Sequence, residues 1–297
     1  MYVLSDSLRL YTGGSSQHLL TFNTLNGQQI RSENLEEKLQ CFHHNWGKLF
    51  IGTYTGSILV WSTKTDRNID AYVCSDRPIS CISSATEGAQ KVILVAAYDS
   101  TVFVLSATSG LLIRILEGHT KTVFSLQVDG SVVYSGSGDK TVMEHNLQTG
   151  DMTWTYTQAA GIITTICVFE DLLFCSSFDK FIRCYSTEDH KLKALYYGAD
   201  RGLVTQMTVV DNKLVTGNRN GMVEVIPIHR DQESMCQCEG CCLVFGLKSH
   251  MLYHVMSDHV SPNTKMFQCL WKGCKEWMST KGGQQEAEKH MKQHIFL

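Results

Sequence analysis

Val132-Val133-Tyr134-Ser135-Gly136-Ser137-Gly138-Asp139-Lys140-Thr141-Val142-Met143-Glu144-His145 decides the fold of this 297-residue chain. The stretch reads as a short apolar strand, a small residue, a tight turn at Gly-Asp, and a second strand ending in a large residue. Aligned on Asp139, the turn position recurs at Ser16, Thr55, Asp99, Asp179 and Asn220. The steps between the six positions are 39, 44, 40, 40 and 41 residues. The residue closing the following strand recurs as Phe22, Trp61, Leu105, His145, Tyr185 and Ile226.

A period near forty, built of strands with Gly, Asp and Asn at the turns, is the signature of β-propeller blades. One blade cannot bury both of its faces, so blades stack radially. A helical repeat would place apolar residues three and four apart, whereas these units alternate. Only three prolines interrupt the chain. The last unit has three strands ending near Val225-Ile226, and Met1 already falls inside a strand. Six repeats are therefore expected to be part of a seven-bladed ring in a shortened chain, the alternative being six blades with one thin.

The repeat resembles the WD-repeat family at Gly118-His119, Ser135 and Asp139. In that family His, Ser or Thr, Asp and Trp lock the turn, which implies the same network here. The fourth position is His145 rather than tryptophan. Only Trp61 keeps the tryptophan, and its turn residue is Thr55. Asp99, Asp139 and Asp179 are accordingly read as acceptors of turn hydrogen bonds, not as catalytic acids.

The last sixty residues change character. Cys238-x2-Cys241-x12-His254-x4-His259 spaces two thiolates and two imidazoles as a ββα zinc finger does, with Phe245 and Met251 at core positions. Cys236 and Cys242 flank the pair and are alternative ligands or spare thiols, and His250 is placed on the exposed face of the helix. A second finger is read as Cys269-x4-Cys274-x15-His290-x3-His294. Phe267 lies on its first strand, Gly282-Gly283 in a loop before the helix, and Met278 and Ala287 are small substitutes in its core. Four protein ligands at each site leave no open position, so two structural zinc ions are expected, each worth about 10–16 kcal/mol in finger peptides.

The fold class is therefore all-β, a WD-repeat propeller over 1–229, followed after a linker at 230–235 by fingers at 236–260 and 261–297. Net charge is −3 with 43% apolar residues, ordinary for a globular chain. Six of twelve cysteines lie in the finger segment. Cys41, Cys74, Cys81, Cys167, Cys175 and Cys184 sit singly in apolar surroundings and read as free thiols of a reducing compartment. Met1 to Asp6 offers neither a basic start nor an apolar stretch, so no secretory signal is expected, and no apolar run reaches membrane-span length.

Enzymatic chemistry finds no phosphate loop, nucleophile elbow or His-Glu-x-x-His helix. The histidines outside the fingers lack acidic or cysteine partners at useful spacing, and His43-His44 is placed in a blade loop. Helix positions that would read duplex DNA are Leu247, His250 and Tyr253 in the first finger, and Gly283, Glu286 and Lys289 in the second. None is a guanine-gripping arginine or an adenine-reading amide. Residues 236–297 carry seven lysines, no arginine and five acids, a thin basis for phosphate contact. Duplex reading is not expected. Tyr253, Phe267, Trp271 and Trp277 beside Lys265, Lys272 and Lys275 suit stacking on RNA, except those consumed in the finger cores.

A degenerate propeller followed directly by Cys238-Glu239-Gly240-Cys241 and Cys269-Leu270-Trp271-Lys272-Gly273-Cys274 resembles the C-terminal part of the zinc finger protein 106 family. That resemblance implies RNA as a partner and a nuclear location, with nucleolus and cytoplasm as further sites. The residues themselves accommodate a protein-interaction scaffold equally, with partners on the propeller faces and no membrane association.

Overall fold

The computed structural model describes residues 5–6, 9–14, 17–198, 202–228, 234–238, 241, 243–260, 266–279 and 284–296. Ser16, His229, Cys242, Lys265 and Gly282-Gly283 lie outside them, as do the side chains of Phe267 and Met278. The fold is a six-bladed β-propeller in which each blade is an antiparallel meander. Blade one is β1 (Ser5–Asp6), β2 (Arg9–Thr12), β3 (His18–Asn23) and β4 (Gln29–Asn34). Blade two is β5 (Leu39–Asn45), β6 (Lys48–Thr53), β7 (Ser57–Ser62) and β8 (Arg67–Val73). Blade three is β9 (Ile79–Glu87), β10 (Gln90–Ala97), β11 (Val102–Ser106) and β12 (Leu112–Leu116). Blade four is β13 (Val123–Asp129), β14 (Val132–Ser137), β15 (Val142–Asn146) and β16 (Met152–Tyr156). Blade five is β17 (Ile163–Phe169), β18 (Leu172–Ser177), β19 (Phe181–Ser186) and β20 (Leu192–Tyr197). Blade six has three strands among the described residues, β21 (Val204–Val210), β22 (Lys213–Asn218) and β23 (Val223–Pro227).

The chain divides into two compact units, 1–166 with 177–179, and 167–176 with 180–297. In the first, cores lie between successive blades. Leu49, Ile51, Leu59 and Trp61 of blade two pack with Tyr11 and Leu19 of blade one. From the same strands Phe50, Ile58 and Val60 point the other way, against Ile93, Val95 and Leu105 of blade three. Val92, Leu94 and Val104 then meet Val123 and Val133 of blade four. Because both faces of a middle strand are covered, its sequence is a continuous apolar run rather than an alternation; Val92–Ala97 is buried throughout. The expected alternation survives on the outer strands, such as β4, whose residues are mostly exposed.

Each strand-closing position named from the sequence falls at the same place in its blade. Phe22, Trp61, Leu105, His145, Tyr185 and Ile226 pair across the sheet with Leu10, Leu49, Ile93, Val133, Leu173 and Leu214. In all five four-stranded blades the pairing to the outer strand shifts register at that residue, a bulge that twists the blade's edge. His43 and His44 lie within β5 rather than in a loop, because they continue the apolar strand that precedes them. His43 Nε2 sits 2.7 Å from Ser84 Oγ.

In the second unit, Phe174, Ile182, Cys184 and Tyr196 of blade five pack with Met207, Leu214 and Ile226 of blade six. The finger segment supplies β24 (Ser234–Met235), β25 (Val244–Phe245), α1 (Lys248–His254) with a π-helical turn at Val255–His259, β26 (Met266–Gln268), β27 (Trp277–Ser279) and α2 (Gln284–Phe296). The strand β24 occupies part of the expected linker. Its hairpin does not stand apart from the propeller: β25 runs parallel to β20 and extends the sheet of blade five. No helix among the described residues is long and apolar enough to cross a membrane.

Candidate metal centres and the turn network

Two hairpins of identical hydrogen bonding present the cysteines. In the first, Cys236 N–H donates to Leu243 O at 2.8 Å and Cys241 N–H to Cys238 O at 3.1 Å. In the second, Cys269 N–H donates to Glu276 O at 3.0 Å and Cys274 N–H to Trp271 O at 2.9 Å. Cys236 therefore corresponds to Cys269, Cys241 to Cys274, and Cys238 to Trp271 at the turn. Both knuckles have four residues between their thiols.

The donor atoms of Cys236, Cys241, His254 and His259 lie within 4.8 Å of one another, as do those of Cys269, Cys274, His290 and His294. The structure thus brings Cys236, not Cys238, into the first quartet. The physical reason is register: Cys238 spends its carbonyl on the turn that returns the chain to Cys241, and its thiol then lies beside Cys236 rather than opposite the histidines. The thiol of Cys236 is pushed down to about 3, foremost by the hydrogen bond it shares with the Cys238 thiol, while Cys238 is pushed up by that same bond and by burial.

Within the first quartet Cys241 Sγ is 3.3 Å from His254 Nε2, and the two Nε2 atoms are 3.2 Å apart. In the second, Cys274 Sγ–His290 Nε2 is 3.5 Å, Cys269 Sγ–His294 Nε2 is 3.7 Å, and Nε2–Nε2 is 3.0 Å. A tetrahedral ion with bonds of about 2.3 Å to sulfur and about 2.0 Å to nitrogen has edges of roughly 3.3–3.8 Å, and the distances in both quartets lie within about 0.3 Å of that range. His254 and His259 are five residues apart, and the π-helical turn, closed by Val260 N–H to Val255 O at 3.1 Å, carries the extra residue between them. His290 and His294 stand one ordinary turn apart on α2.

Each quartet also orients a histidine from behind. His254 Nδ1 meets Asp258 Oδ2 at 2.8 Å, and Asp258 in turn accepts from Ser257 Oγ at 2.5 Å. His290 Nδ1 lies 3.1 Å from Glu276 Oε2. A carboxylate on Nδ1 fixes the tautomer that leaves Nε2 as a lone-pair donor. Neither acid was singled out from the sequence, although Asp258 lies four residues from His254 and Glu276 two from Cys274.

The two knuckles face each other. Cys238 bridges to Trp271, Lys272 N–H donates to Gln237 O at 2.9 Å, and Trp271 stacks on the ring of His294 at 5.4 Å and 7°. One core serves both fingers, formed by Cys236, Phe245, Met251, Val255, Cys269, Ala287, Met291 and Ile295. Ala287 is small because Met291 and Ile295, four and eight residues on, supply the volume. Trp271 belongs to this core, whereas Tyr253 and Trp277 are exposed. His250 is not on an exposed face: it packs against Tyr196 and Tyr197, and its Nδ1 accepts Tyr197 N–H at 3.3 Å.

In blade four the turn network is complete in three members. His119 Nδ1 is 2.8 Å from Asp139 Oδ2, and its Nε2 is 2.8 Å from Ser135 Oγ. Asp139 also accepts Thr120 N–H and Thr141 N–H, each at 3.0 Å, and Thr141 Oγ1 at 2.6 Å. Burial alone would raise its carboxyl, but the bonds from His119, Thr141 and Thr120 hold it well below the usual range. His145 takes the fourth position differently, bonding Glu117 O through Nε2 at 2.8 Å. Asp99 accepts Thr101 N–H at 3.0 Å and Asp179 accepts Ala160 N–H at 2.8 Å, the structural work assigned to them. Cys41, Cys81, Cys167, Cys175 and Cys184 are buried and Cys74 is partly exposed; burial pushes the Cys81 thiol up to about 12.

Residues 110–144 match the family model described as "WD domain, G-beta repeat". The match runs from the outer strand of blade three through β15 and includes His119, Ser135 and Asp139. A crystal structure of the computationally designed Ika8 protein is similar over 76% of this chain and 70% of its own, at 21% identity and a TM-score of 0.63. A chain in a crystal structure of the Mitotic Checkpoint Complex is similar over 75% of this chain and 72% of its own, at 15% identity and a TM-score of 0.68. At these identities the likeness is one of fold.

Proposed function

We propose that the chain is a non-enzymatic interaction scaffold whose two C-terminal Cys/His quartets hold structural zinc ions. The observation that carries this reading is the closed donor set: each quartet has four protein ligands at tetrahedral spacing, so a bound ion has no position left for substrate or water. WD-repeat propellers generally serve as protein-interaction platforms, and blade four carries that family's turn network. Partners dock on the loops and faces of the rigid blades.

RNA association and a nuclear location, as the likeness to the zinc finger protein 106 family implies, form a second reading. It is favoured by Trp277, 62% exposed beside exposed Lys275 on the second hairpin. Zinc content of the purified chain, followed by RNA titration across a salt series, separates the two. Two zinc ions without RNA binding support the protein scaffold. Binding that weakens steeply with salt and is lost in Trp277→Ala supports the RNA reading. A chain without metal overturns the assignment of the quartets.

A further inference from the structure

A finger that reads a duplex turns three helix positions toward the bases, and in α1 these are Leu247, His250 and Tyr253. All three meet the outer strand of blade five or the core behind it. Leu247 packs on the core that contains Tyr196. The ring of His250 is 6.2 Å from Tyr196 and 5.8 Å from Tyr197, and that of Tyr253, exposed on its outer side, is 6.0 Å from Tyr197. Beside the helix, Leu195 pairs with Phe245, and Gly246 N–H donates to Leu195 O at 3.2 Å. Gly246 is required by this approach, since a Cβ there would lie 2.1 Å from the ring of Tyr196.

The contact is joined to the metal site by stacked rings. Tyr197 stacks on Phe245 at 5.8 Å and 26°, and Phe245 lies 5.0 Å and 32° from the ligand ring of His254. An ion bound by His254 would thereby fix the floor on which Tyr197 rests.

We infer that the first finger is a protein-docking finger: the helix face that would read nucleic acid is committed to β20 within the same chain, and metal in its quartet clamps it there. The inference rests on the metal reading of the quartets. Two consequences follow from it. Removing the ion uncovers the β20 edge and the rings of Tyr196 and Tyr197, which become available for strand addition. While the ion is bound, α1 cannot read a nucleic acid through this face, so any such contact falls to the second finger.

Amide hydrogen exchange on the full chain tests this, with metal content counted on the same sample. Chelation should speed exchange at Tyr197 and Gly246 by about tenfold or more, the loss of one hydrogen bond each, while Thr155 and Tyr156 of β16 stay unchanged. Gly246→Val should give the same acceleration with both ions still bound, because it blocks docking without touching a ligand. His250→Ala should accelerate Tyr197 alone. If chelation loosens the finger amides yet leaves Tyr197 protected, or if Gly246→Val keeps both ions and native exchange along β20, the clamp is overturned. A chain that carries no metal as purified, yet protects Tyr197, overturns the metal's role while leaving the docking contact standing.

Discussion

At the residue scale, the cysteines of the first hairpin divide into a member of the Cys/His quartet, Cys236, and its neighbour Cys238, and substitution distinguishes them. Cys236→Ser should reduce metal content from two ions to one, whereas Cys238→Ser should retain both, as read by native mass spectrometry. The x2 spacing that favours Cys238 in the sequence is common in fingers, but here the turn consumes it. Asp139 makes a second case. Asp139→Ala leaves the donors of His119, Thr120 and Thr141 unmatched and should cost about 2–4 kcal/mol in urea unfolding without changing metal content. Its carboxyl is held low in the folded chain, so its contribution is present above the ordinary value of 3.8 and is lost as pH falls below that. Wild type should therefore lose stability more steeply than Asp139→Asn below about pH 4.

At the scale of single elements, α1 is set by what it packs on more than by its own propensity. It has only seven residues, no side-chain cap and no acid in its first turn, too short to persist alone. Burial lowers His250 from 6.5 to about 4. Its neutral ring accepts Tyr197 N–H, so the stability it contributes is full above pH 6.5 and declines as pH falls from there toward 4. The protection of the Tyr197 amide, its exchange rate relative to the intrinsic rate at each pH, should fall over that window in wild type, and His250→Gln should flatten the response. The blade turns are a more local matter. Lys140 follows Asp139 at φ 75°, the left-handed region, as Ser100 does at φ 70°. Lys140→Val should destabilise by about 1–2 kcal/mol because a β-branched side chain fits that conformation poorly, while Lys140→Gly should be neutral or better.

At the scale of the whole molecule, the propeller and the fingers are linked through blade five rather than by a free tether. The second compact unit holds blade six, most of blade five and both fingers. Chelation should accordingly lower the unfolding temperature of a unit that includes propeller strands. Circular dichroism should show loss of strand signal along with helix. A loss of helix alone would mean that the fingers fold independently of blade five.

The sequence by itself determined the period, the residue that closes the strand after each turn and the Cys/His type of the two quartets, because these are local matters. A forty-residue repeat with Asp or Asn at a tight turn has few physical solutions, and two cysteines near two histidines on a short helix have fewer still. The turn roles of Asp99, Asp139 and Asp179 were legible for the same reason, since Thr101, His119 and Ala160, which they bond, lie within twenty residues of them. Only the tertiary structure decided which cysteine of Cys236 and Cys238 enters the quartet, because hairpin register depends on what the second knuckle pairs with. Only the tertiary structure placed His250 inside an interface, because its partners Tyr196 and Tyr197 lie more than fifty residues away. Spacing along the chain fixes what a segment can bind, but which face remains free to bind it is settled by the surface it folds against.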